Sequence, residues 1–117
     1  MSDTLKQSPI FTKTYDLLQW LLPHTAAWPR HYRFTLTQEL SRAALRFQER
    51  LLEATLTGDT TKRLEQADVE LAKVRLYLRL GYDLQCLNAG QYAHASAMIG
   101  QIGRLLGAWR SKRAVPS

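Results

Sequence analysis

The sequence contains a single cysteine, Cys86, which excludes an internal disulfide and any multi-cysteine zinc centre. Glycine and proline are sparse, six and four in 117 residues, while 45% of the chain is hydrophobic and 22% charged. Collagen-like, low-complexity and disordered classes are thereby excluded. No apolar run reaches the roughly 18–20 residues of a membrane span, because Asp16, Arg75, Arg79, Asp83 and Arg104 interrupt every candidate. Residues 1–8 are polar and lack the apolar centre of a secretory signal. These absences lead us to expect one small soluble domain in the cytoplasm, with no membrane partner.

Catalytic groupings are missing as well. Of the three histidines, His24, His31 and His94, no pair has the four-residue helical spacing of a zinc site, and no carboxylate accompanies them at ligand spacing. They read as surface or turn residues. Cys86 sits beside Leu84 and Leu87 with no adjacent base, so a buried, inert thiol is expected. There is no glycine-rich phosphate loop. No arginine stands four to six residues before a histidine, as a helical ribonuclease of the HEPN type would show. Glu49, Glu53, Glu65 and Glu70 read as solvated helix faces pairing with Arg46, Arg50 and Lys73. Catalytic, metal and cofactor sites are therefore all read as none, and the protein is not expected to be an enzyme.

What is present is helical periodicity with clear punctuation. Ser8-Pro9 opens a first helix, whose apolar face is Ile10, Phe11, Tyr15, Leu18, Leu21 and Leu22. Pro23 kinks it or ends it shortly afterwards. A second helix is predicted from about Pro29 to Thr57, with the stripe Leu36, Leu40, Ala43, Phe47, Leu51 and Ala54, ended by Gly58. A third, capped by Asp59, Thr60 or Thr61, should run to about Leu87 on Leu64, Ala67, Leu71, Val74 and Leu78. After Asn88-Ala89-Gly90 a fourth spans about Gln91 to Arg110, with Tyr92, Ala95, Ile99, Ile102, Leu106 and Trp109 in phase. No alternating β-branched run appears. The prediction is an all-α, antiparallel up-down-up-down four-helix bundle: one domain over residues 1–117, with tails at 1–8 and 111–117.

Two features exceed what a lone bundle needs. Leu76, Tyr77, Leu80, Leu84 and Leu87 lie outside the core stripe of the third helix, and we expect them to form an oligomer interface. In the fourth helix Gly100, Gly103 and Gly107 join Ala93 and Ala97 in a seam of small side chains suited to close helix packing. The wide-core alternative, with scattered surface leucines, is the blander reading of the first feature.

Charge is the other positive signal. Sixteen Lys and Arg against ten Asp and Glu give +6, with most of the cations arginine. Arginine's planar fork suits phosphate and carboxylate. Arg42, Arg46 and Arg50 follow at four-residue steps on the second helix, and Arg75 and Arg79 repeat the step among apolar neighbours on the third. With Arg110, Lys112 and Arg113 at the C-terminal end, these are the candidate nucleic-acid or partner contacts. A solvated, Glu-laced face explains much of the second-helix ridge equally well.

Three stretches together resemble a known family. They are Tyr15-Asp16-Leu17-Leu18-Gln19-Trp20-Leu21-Leu22, Trp28-Pro29-Arg30-His31-Tyr32-Arg33-Phe34, and Ile102-Gly103-Arg104-Leu105-Leu106-Gly107-Ala108-Trp109. In order and spacing they look like the accessory variability determinant (Avd) proteins of diversity-generating retroelements. These sit within the wider group of four-helix proteins related to those encoded in ribosomal RNA intervening sequences. The resemblance covers about residues 9–110. It implies a homopentameric barrel of bundles that catalyses nothing. The barrel would bind the retroelement's reverse transcriptase and its template RNA or cDNA through a basic surface, supporting mutagenic retrohoming. It also implies a prokaryotic or phage-encoded cytoplasmic protein. No residue code for nucleic acid transfers with it. The competing readings are a structural oligomer of the intervening-sequence type that binds no nucleic acid, and an uncharacterised helical nuclease.

Overall fold

The computed structural model describes residues 8–114, with side chains through Lys112. Four helices account for most of it: α1 (Pro9–Ala26), α2 (Leu36–Leu56), α3 (Thr60–Asp83) and α4 (Ala89–Ala114), with a 3-10 turn at Arg30–Tyr32. Among the described residues there is no strand. Each helix packs against its neighbour in sequence, and α4 closes the ring against α1. The molecule measures 49 × 25 × 24 Å, as expected when helices of about 1.5 Å rise per residue lie along one axis.

The predicted stripes of the second and third helices are buried throughout, from Leu36 to Ala54 and from Leu64 to Leu78. On α4, Ala95, Ile99, Ile102 and Leu106 are buried, while Tyr92 and Trp109 pack against the core from its edge. On α1 two expectations fail. Leu22 is only partly buried, while Leu17, outside the expected face, is buried. Tyr15 is 58% exposed, and the inward position belongs to Thr14, fully buried with no partner for its hydroxyl. A four-residue step from Ile10 reaches Thr14, so period favours threonine over the bulkier aromatic next to it.

The helix ends depart from the expectations for identifiable reasons. α1 is the exception: it ends at Ala26, shortly after Pro23 as expected, the missing N–H and the ring disturbing its last turn. Pro29 does not open α2; it starts the 3-10 turn, where the Tyr32 N–H donates to its carbonyl at 3.0 Å. α3 stops at Asp83, short of Leu87. Gln85 takes a left-handed conformation, φ 65°, and two backbone bonds close the end: Cys86 N–H to the Gly81 carbonyl, 2.8 Å, and Gln85 N–H to the Tyr82 carbonyl, 3.0 Å. That is the Schellman closure, made here without glycine. α4 begins two residues before Gln91. The Gln91 N–H donates to Asn88 Oδ1 at 2.8 Å, and Gln91 Oε1 accepts from the Asn88 N–H at 2.9 Å. This reciprocal pair is a capping box. At the far end residues 111–114 continue the helix instead of forming a tail.

Candidate nucleic-acid and assembly surface

The apolar flank expected on the third helix divides in two. Leu76, Leu80 and Leu84 are 61%, 43% and 40% exposed. Leu87 instead lies in the core, because the chain turns inward after Gln85, and Tyr77 is half-buried against the same core. Sequence reasoning missed Val69 on the same exposed face of α3, and the stripe Leu45, Leu52 and Leu56 on α2, all exposed. The signal was available: their spacings of seven and four are helical steps.

Four of the eight nominated cations have acids of their own. Arg50 donates through Nη1 to both carboxylate oxygens of Glu53, at 3.0 and 3.1 Å, and Arg63 stands 3.6 Å from the same carboxylate. Arg79 Nε donates to both oxygens of Asp83, at 3.1 and 3.2 Å. That bond and the Asp83 charge push the guanidinium's pKa still higher. Arg110 reaches across from α4 to Asp68 on α3, 2.8 Å away, and Arg42 lies 3.8 Å from Glu39. Exposed pairs of this kind contribute about 0–1 kcal/mol. Although their neighbours in sequence are apolar, Arg75 and Arg79 are both exposed.

Among the described residues, Lys13, Arg30, Arg33, Arg46, Lys62, Arg75, Arg104 and Lys112 have no acid within 4.0 Å. Arg46, Arg75 and Lys112 were nominated from the sequence; Arg30, Arg33 and Arg104 were not. The Arg113 side chain lies outside the described residues. A plain signal could have found Arg104: every Asp and Glu of the chain lies at or before Asp83, so α4 carries none. Arg30 and Arg33 likewise fall in an acid-free interval, between Asp16 and Glu39, and precede Phe34, which is 77% exposed.

Arg75 has a distinctive seat. Its guanidinium lies against Gly103 of α4, where any side chain would collide with Nη2. The small-residue seam thus admits an arginine from the same chain, and no helix backbone of this protomer. Gly107 has nothing within 4 Å of where a Cβ would stand, and Ala93 and Ala97 are exposed. Next to Arg75 a hollow of about 180 Å³ is lined by Arg75, Leu78, Tyr92, Ser96, Ile99 and Gly100. Tyr92 stacks on Tyr82, centroids 4.6 Å apart and planes 9° from parallel.

The histidines are all exposed, as expected, yet each meets an aromatic, His31 lying 4.2 Å from the ring of Tyr32. His24 stacks on Trp20 at 4.0 Å, and His94 approaches the same indole at 5.2 Å. Cys86 is half-buried, not buried, and the loss of solvent raises its thiol pKa. Among the described residues no three of His, Cys, Asp and Glu converge as a metal ion would require. No described helix is long and apolar enough to cross a membrane.

No curated protein matches the chain. The bAvd-like family model does, over residues 9–113, and the chain therefore belongs to the bAvd-like family of Avd-type proteins.

Proposed function

We propose that the chain is a non-catalytic accessory protein of a diversity-generating retroelement. It self-assembles, as a pentamer on the family resemblance, and binds the reverse transcriptase together with template RNA or cDNA in the cytoplasm of a prokaryotic host. The observation that carries this reading is the pairing of two surfaces on adjacent helices. α3 exposes Leu76, Leu80 and Leu84, and α4 beside it carries cations and no acid. Burying the leucines between copies gathers several α4 helices into one body. A charge of +6 per chain then becomes a field strong enough to draw in a polyanion. Arg46, Arg75 and Lys112 supply phosphate contacts, while Arg42, Arg50, Arg79, Arg110 and Arg113 add to the field.

A structural oligomer without nucleic-acid affinity is the second reading. The ion pairs that satisfy Arg50, Arg79 and Arg110 within the protomer favour it. Co-expression with a reverse transcriptase of a diversity-generating retroelement separates the two. The accessory reading expects a complex that survives affinity purification and retains RNA, with RNA lost first as salt rises. Recovery of the accessory chain alone, free of polymerase and of RNA, would leave the structural reading.

A further inference from the structure

We infer that the hollow between α3 and α4 beside Arg75 is a cradle for a phosphodiester group of a polynucleotide, an assignment that rests on the function proposed above. Four observations converge on it. Arg75 has no acid within 4.0 Å among the described residues and is seated against Gly103. Arg104, likewise unpaired, lays Nη1 along its own helix over Gly100, 3.7 Å from where a Cβ would stand. The hollow beside Arg75 is lined by the hydroxyl-bearing residues Tyr92 and Ser96 and by Gly100, the residue over which Arg104 lies. On the Tyr92 side stands Arg79, whose hold on Asp83 is an exposed pair that a phosphate can displace.

Size and shape choose among anions. About 180 Å³ is below the roughly 300 Å³ at which pockets begin to enclose small molecules, so the hollow takes one group and not a whole nucleotide. One face of Tyr92 is covered by Tyr82, so that face is closed to a base. Two guanidinium forks flanked by hydroxyls match the donors that hold phosphate oxygens and read no sequence. Gly100 and Gly103 keep the floor low, so the strand approaches the helix backbone while Arg75 stays in place. A bulkier residue at 103 would evict that guanidinium without altering the charge of the chain.

The test measures binding of a fluorescein-labelled single-stranded RNA by anisotropy across a salt series, on the full chain. Arg75→Gln with Arg104→Gln is expected to lower affinity about tenfold at low salt and to reduce the salt slope by about 1 per residue replaced. Gly103→Val retains every charge and is expected to shift the slope the same way by about 1. Arg63→Gln, which removes a cation 3.6 Å from Glu53 and outside the proposed contacts, serves as the control and leaves the slope unchanged. Circular dichroism and the melting midpoint establish that each variant folds; if Gly103→Val does not, the arginine pair decides alone.

RNA binding that is identical in wild type and Arg75/Arg104 variant overturns the cradle and leaves the accessory function standing. Absence of RNA binding by the wild type overturns both. Wild-type affinity for polyglutamate equal to that for RNA, lost in the same variant, replaces phosphate by an acidic protein segment and overturns the assignment.

Discussion

The indole of Trp28 lies directly on the backbone of Gly81, although the two residues are far apart in the chain. Trp28 follows the end of α1 and Gly81 lies in the last turn of α3, and the contact fastens the loop over the core, with Trp28 only 8% exposed. A methyl group at 81 would stand 2.8 Å from Cζ3 and 3.2 Å from Cζ2 and would collide with Cη2. Gly81→Ala should therefore destabilise by about 1–3 kcal/mol through overpacking, even though alanine is the better helix former by about 1 kcal/mol. Urea unfolding followed by circular dichroism checks the sign.

Gly107 is the counterpart. It too is helical, yet nothing lies within 4 Å of a Cβ placed there. Gly107→Ala should raise stability by about 0.5–1 kcal/mol in the same assay. Opposite signs for one substitution in two helices follow from the packing alone.

Gln85 holds the left-handed position of the α3 closure at φ 65°, a conformation that strains an ordinary side chain by about 1 kcal/mol. Gln85→Gly should stabilise by about 0.5–1 kcal/mol, because the cap bonds from the Gln85 and Cys86 N–H groups are kept and the strain is removed. A lowered denaturation midpoint would contradict the closure described here.

Cys86 should alkylate slowly. Desolvation raises its thiol pKa, so at any given pH near neutrality a smaller fraction is thiolate than in a free cysteine. The rate with iodoacetamide should rise with pH through an inflection above that of a cysteine peptide measured alongside. After unfolding in urea the two profiles should coincide.

The core was legible from sequence wherever periodicity alone decided it. The stripes of α2 and α3 were legible because Leu, Ala and Phe recur there at steps that only one helix face satisfies. The helix ends were less so. The close of α3 depends on a glutamine in a glycine's conformation, and Pro29 looks the same whether it opens a helix or a 3-10 turn. Asn88 and Gln91 did carry a readable cap. The candidate surface was the least legible part, because its defining relations join residues far apart in the chain. Asp68 and Arg110 are 42 residues apart, and no spacing rule links Arg75 to Gly103. Leu87, in phase with its exposed neighbours, turns inward only because the backbone reverses two residues earlier.

Sedimentation velocity of the purified chain with a fluorescein-labelled RNA tests the central claim most directly, since one boundary reports both assembly and polyanion capture. Wild type at high micromolar concentration should sediment as a multi-subunit particle that carries the RNA at about 50 mM salt and releases it as salt rises. Leu80→Glu should yield slower particles with little RNA. A single-copy particle of wild type, with the RNA sedimenting on its own in dilute buffer, would contradict the account.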